Sequence, residues 1–141
     1  CAVLEDAGLA CWGSNASGQL GTPGVDGGVS ASPLPVVGPW AATAAVAGAL
    51  HACLLTTQGA VFCWGTNAWG QLGDGTQTPR AVPTPVSGLT SGVLAIGVGF
   101  DHSCALLATG GVKCWGRNNQ SQLGDGTNAA NRLVPVDVIS R

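Results

Sequence analysis

One short pattern occurs three times along the chain and fixes what it can fold into. "CWGSNASGQLG" starts at Cys11, "CWGTNAWGQLGDGT" at Cys63 and "CWGRNNQSQLGDGT" at Cys114, at steps of 52 and 51 residues. Two further anchors keep the same period. Upstream lie "CAVLEDAGLAC" from Cys1, "HACLLTTQGAVFC" from His51 and "HSCALLATGGVKC" from His102; downstream lie Pro35-Val36, Pro85-Val86 and Pro135-Val136. Self-similarity at this period marks solenoids, propellers or arrays. A single unit of these cannot bury its apolar face alone, so neighbours must stack.

Within a unit the apolar runs are short and bounded by turn residues. "VLAIGVG" (93–99) ends in glycines, "HSCALLA" (102–108) follows, "TGG" (109–111) turns the chain, "VKCWG" (112–116) forms a third run, and a last one spans about 133–139 with Pro135 suited to a sheet edge. "WAATAAVAGAL" (40–50) has the alanine content of a helix, but it aligns with "SGVLAIGVGF" of the next unit and is expected to be a strand. The expectation is an all-β chain of four-stranded antiparallel β-propeller blades, about three of them. The units are a truncated first repeat over 1–40, a second over 41–90 and a third over 91–141. The first lacks its opening strand and the histidine before its cysteine.

The sequence H-[SA]-C-x-L, then C-W-G-x-N-x-x-G-Q-L-G-D-G-T, then P-V closely resembles the regulator of chromosome condensation repeat. The likeness covers essentially the whole chain. It implies a seven-bladed propeller, of which these units form an arc. The rest of the ring would come from further blades of the same chain or from a second copy. It also implies a range of roles: guanine-nucleotide exchange on a small GTPase in the founding member, and protein binding in ubiquitin-ligase modules and a secreted bacterial inhibitor. The absence of methionine suggests a piece of a longer protein.

Charge narrows the functional classes. Charged residues make up 9% of the chain, and the five basic ones (Arg80, Lys113, Arg117, Arg132, Arg141) are scattered. Nucleic-acid binding draws on clustered Lys and Arg that displace counterions, so none is expected from this segment. No apolar run reaches the length of a membrane-spanning helix. No spaced carboxylate pair, nucleophile elbow or phosphate-binding loop appears, so the reading is non-enzymatic, with no cofactor and no metal.

The recurrent residues read as architecture. Trp12, Trp64 and Trp115 occupy one position in every unit and are expected to pack between blades. Asn15, Asn67 and Asn118, with Gln19, Gln71 and Gln122, are expected to bind orphan backbone groups of the loop. Asp74 and Asp125 fit Asp-Gly turns better than a calcium site, which needs six to eight oxygens. His51 and His102 are expected to be structural, with no Ser or Asp placed for a triad. Ser121 replaces Gly18 and Gly70 of the other units and should carry strain if that position takes positive φ.

The cysteines carry the sharpest chemical inference. Cys1 and Cys11, Cys53 and Cys63, and Cys104 and Cys114 are each ten positions apart, centred on Asp6, Gln58 and Thr109. A three-residue hairpin loop puts each pair face to face, with Cα atoms about 4.5–5.5 Å apart, inside the range of about 4.4–6.8 Å that a disulfide tolerates. One disulfide per unit implies an extracellular, periplasmic or cell-surface location. Free thiols in a cytoplasmic protein are the alternative, and zinc is disfavoured because Cys53, Cys63 and His51 make only three ligands. The positions that differ between units (the loop Thr22–Pro35, Trp69, and Gln77 to Arg80) are the candidates for contact with a protein partner.

Overall fold

The computed structural model describes residues 1–24, 27–128 and 130–139. They form eleven strands in three antiparallel meanders and no helix. The first sheet holds β1 (Ala2–Val3), β2 (Leu9–Ser14) and β3 (Val29–Val36). The second holds β4 (Ala42–Ala47), β5 (His51–Thr56), β6 (Val61–Gly65) and β7 (Arg80–Pro85), in that spatial order. The third repeats it with β8 (Val93–Val98), β9 (His102–Leu107), β10 (Val112–Gly116) and β11 (Arg132–Asp137). The alanine-rich stretch is strand β4: its register against β5, not its helix propensity, decides its state.

The hairpins set the register. Thr56 N–H donates to Ala60 O at 2.9 Å and Leu107 N–H to Gly111 O at 2.8 Å, leaving three-residue loops that end at Gly59 (φ 78°) and Gly110 (φ 86°). Such a loop needs a left-handed residue at its end, which glycine supplies without a Cβ clash. The count then places Cys53 opposite Cys63 and Cys104 opposite Cys114.

Strand alternation sends successive side chains to opposite faces, and each face meets a different neighbour. From the second sheet, Ala52, Leu54 and Trp64 point back and pack with Leu9, Cys11, Leu20 and Val36 of the first. Cys53, Leu55, Val61 and Cys63 point forward and pack with Val93, Ala105 and Trp115 of the third. The core is therefore two apolar seams between blades. Each signature tryptophan sits where the ladder to the outermost strand slips, between Cys11 and Gly13, Cys63 and Gly65, and Cys114 and Gly116. Such a bulge re-aims the side chain it carries. Trp64 and Trp115 are fully buried. Trp12 is 47% exposed because, among the described residues, no sheet covers its face.

Candidate interaction surface

Strand order places the β4–β5 and β6–β7 loops, and their counterparts in the third sheet, at one end of the blades. The β6–β7 loop is held from within. Asn67 Oδ1 accepts from Leu72 N–H at 3.0 Å, and its amide nitrogen donates to Thr76 O and Thr78 O, each at 3.0 Å. Gln71 Oε1 accepts from Trp69 N–H at 2.9 Å. Asn118 and Gln122 repeat this pattern in the third sheet, and Asn15 and Gln19 repeat the backbone bonds in the first. The amides thus replace a hydrogen-bond ladder where the loop has none.

Asp74 Oδ1 accepts from both the N–H (3.0 Å) and the hydroxyl (2.7 Å) of Thr76, and Oδ2 meets Arg80 Nε at 2.9 Å. Burial would raise its pKa, but the bonds from Thr76, Arg80 and Asn67 outweigh that and hold it below the ordinary value. Asp125 is held low by the Thr127 hydroxyl first, with Arg132 and Asn118 adding to it. Its Oδ2 meets Arg132 Nε at 2.6 Å. Both carboxylates are turn-builders.

The seams contain bonds between blades. Trp64 Nε1–H donates to Gln19 O, and Trp115 Nε1–H to Gln71 O, each at 2.9 Å. Gln71 O also accepts from the Ser103 hydroxyl at 2.9 Å. That hydroxyl has spent its one hydrogen, so its 3.0 Å contact with His51 Nε2 must be a bond donated by the imidazole. His51 is therefore neutral with its proton on Nε2, and its buried Nδ1 has no partner. Desolvation pushes its pKa down to about 4, against the Asp101 charge and with help from His102. Ser103 of the next blade thus stands beside His51, but its hydroxyl is committed to Gln71 O and makes no triad. The pair is sealed, with His51 at 0% and Ser103 at 1% exposure, and no substrate reaches it.

Trp69 stands at the surface, 38% exposed, with the Arg117 guanidinium of the next blade 4.6 Å from its ring centroid. Arg117 in turn meets Asp101 Oδ2 at 3.1 Å. Beside Trp69, exposed Gln77 donates to Ala68 O at 2.7 Å. Arg80 has a different setting from these two, since its guanidinium braces Asp74 within its own blade. Of the Thr22–Pro35 loop, Val25 and Asp26 lie outside the described residues, as do Ala129, Ser140 and Arg141 of the third unit. Thr22 anchors the loop through its hydroxyl, which donates to Pro35 O at 3.1 Å.

All three cysteine pairs stand at bonding distance, with Cα separations of 4.0, 4.1 and 4.1 Å. These are shorter than the spacing of about 4.5–5.5 Å expected of facing residues and fall just under the usual disulfide range of about 4.4–6.8 Å. Cys53 and Cys63 are sealed in the second seam. The described residues contain no cluster of three or more His, Cys, Asp or Glu side chains arranged for a metal ion, and no helix long and apolar enough to cross a membrane.

Two family models, both described as the regulator of chromosome condensation (RCC1) repeat, match the chain. One covers residues 58–106 and 109–141, the other 42–71 and 93–122. The mouse probable E3 ubiquitin-protein ligase HERC4 is 40% identical over 119 residues, which is 81% of this chain and 11% of that protein. The Arabidopsis thaliana RCC1 domain-containing protein RUG3, mitochondrial, is 30% identical over 138 residues, 97% of this chain and 31% of its own. Among solved structures, human WBSCR16 superposes with a TM-score of 0.85 at 27% identity, covering 98% of this chain and 36% of that one. Saccharomyces cerevisiae Prp20p, whose structure was described with its binding to Gsp1p and histones, gives 0.87 at 20% identity over 98% and 35%, a likeness of fold alone. The chain thus spans about a tenth of HERC4 and about a third of these solved chains.

Proposed function

Because the chain belongs to the regulator of chromosome condensation repeat family, we propose that it is a non-catalytic protein-binding part of a larger propeller, displayed in an oxidising compartment: extracellular, periplasmic or at the cell surface. The observation that carries the binding reading is a division of labour among side chains. Recurrent residues such as Trp64, Trp115, Asn67, Asn118 and His51 are buried and used up by the fold. Trp69 and Gln77 occur in one unit only, lie on one end of the blades and remain exposed. A partly exposed tryptophan held by a neighbouring arginine offers large contact area at little entropic cost, the character of an interface anchor. The location is supported by the three cysteine pairs at bonding distance.

The test is photo-cross-linking from position 77 in native extract, with and without Trp69→Ala. The expected result is one captured protein whose yield falls about tenfold or more with Trp69→Ala, while Lys113→Ala, on a strand away from the loop, leaves it unchanged. Equal capture by the Trp69 variant overturns the surface. Recovery of a small GTPase whose bound guanine nucleotide is released faster by the chain replaces the scaffold reading with exchange activity. Alkylation of the native protein tests the location: six reactive thiols would refute it.

A further inference from the structure

Ser121 departs from the repeat at a position that resists a side chain, as Ala7 (φ 62°) does where the other units have Gly59 and Gly110. Its counterparts, Gly18 and Gly70, have φ of 76° and 79°, and Ser121 itself is held at 55°, the left-handed region that costs an L-residue. Glycine there has a second reason. A Cβ on Gly18 would lie 3.0 Å from Ala81 Cα of the following blade, and one on Gly70 2.9 Å from Leu133 Cα. The turn itself makes no use of a side chain: Ser121 N–H donates to Asn118 O at 3.1 Å, just as Gly18 and Gly70 donate to Asn15 and Asn67. A serine at this site therefore costs strain without serving the blade.

What it does complete is the triplet Asn119-Gln120-Ser121, the acceptor pattern for N-linked glycans, in which the hydroxyl two residues on is required. We propose that Asn119 is an N-glycosylation site and that Ser121 supplies the required hydroxyl; the proposal rests on the oxidising extracellular or cell-surface location proposed above. Asn119, Gln120 and Ser121 are all exposed at the loop end of the third blade. The equivalent residues of the other blades, Ala16 and Ala68, are exposed alanines, so the position faces solvent even where a following blade is docked. A second triplet of the same form, Asn15-Ala16-Ser17, gives the contrast. Asn15 is 4% exposed and its Oδ1 accepts from Leu20 N–H at 2.9 Å, so the folded blade has no room for a glycan there. In the transfer, Asn119 Nδ2 forms a bond to C1 of an oligosaccharide carried on a polyisoprenyl diphosphate. The C1–O bond to phosphate breaks, the lipid diphosphate leaves with the electron pair, and Nδ2 gives one proton to the transferase.

The experiment secretes the chain behind a leader from a eukaryotic glycosylating host and maps sites by peptide mass after enzymatic glycan release, which converts an occupied Asn to Asp. Thiol alkylation is run on the same sample. Expected are occupancy at Asn119, an unmodified Asn15 in the folded protein, retention of the glycan in Ser121→Thr, and its complete loss in Asn119→Gln and Ser121→Gly. Ser121→Gly should also raise the melting temperature while losing the glycan, separating the hydroxyl's role from the blade's. A bare Asn119 in secreted chain whose six cysteines resist alkylation overturns the proposal. Six alkylated cysteines with Asn119 occupied would instead sink the disulfide reading and leave this site standing.

Discussion

Gly70→Ala measures how closely two blades meet. Gly70 sits at φ 79°, and a left-handed alanine costs about 1–2 kcal/mol. Its Cβ would fall 2.9 Å from Leu133 Cα and 3.0 Å from Arg132 O, both backbone atoms of the next blade. The Leu133 side-chain tip can rotate away, but the strand cannot move without opening the seam, and overpacking of that kind costs about 1–3 kcal/mol. The lost freedom of the unfolded glycine returns about 0.4–1 kcal/mol. The net loss is about 1–4.5 kcal/mol, a fall in melting temperature of roughly 3–18 °C for a chain of this size. Gly110→Ala is the matched control: its φ is 86°, yet a Cβ there meets nothing within 4 Å. It bears the strain alone, about 0–1.5 kcal/mol after the same entropic offset. Urea unfolding with the disulfides intact, followed by tryptophan fluorescence, to which the buried Trp64 and Trp115 contribute, reads both. Equal losses for the two variants would show that the seam is not in backbone contact at this loop, and the packing argument would fail.

Ser103→Ala strips the partner from a buried imidazole N–H and one of two donors from Gln71 O. It should cost about 1–3 kcal/mol in the same urea assay. Acid should weaken the fold in two stages. His51 has a native pKa of about 4 against 6.5 unfolded, so on acidification the unfolded chain takes the proton first. The stability is whole above pH 6.5, and about 3 kcal/mol of it is lost by pH 4. Asp74, held below 3.8, adds its loss only below that value. Urea midpoints at pH 7, 5 and 4 check this, and His51→Gln should flatten the slope between 6.5 and 4.

The period made most of the blade legible. A ten-residue spacing about a three-residue turn is enough to set Cys53 against Cys63, and a tryptophan repeated in every unit has to serve something every unit has, which is a seam. What stayed hidden depended on counting across units of unequal loop length. Arg80 lies six residues after Asp74, and Arg132 seven after Asp125. That single extra residue made Arg80 look peculiar to one unit and hence free for a partner, although both arginines brace the same carboxylate. Arg117 was hidden for another reason: its guanidinium, paired with Asp101 of its own blade, lies over an aromatic ring on the neighbouring blade, and no local pattern encodes that contact.

The same reasoning separates two kinds of departure from a repeat. Ser103 stands where the second unit has Ala52, and the structure absorbs the change: the added hydroxyl finds both Gln71 O and His51 Nε2. Such a substitution belongs to a seam and needs no function beyond the fold. Ser121 and Trp69 are not absorbed in this way. One keeps a strained backbone without using its side chain in the turn, and the other leaves an indole at the surface where the first unit has Ser17 and the third Gln120. Strain alone does not mark a function, since Ala7 takes φ 62° where the other units have Gly59 and Gly110; it is the completed acceptor triplet at position 121 and the exposed ring at position 69 that say where a modifying enzyme and a partner, respectively, should be sought.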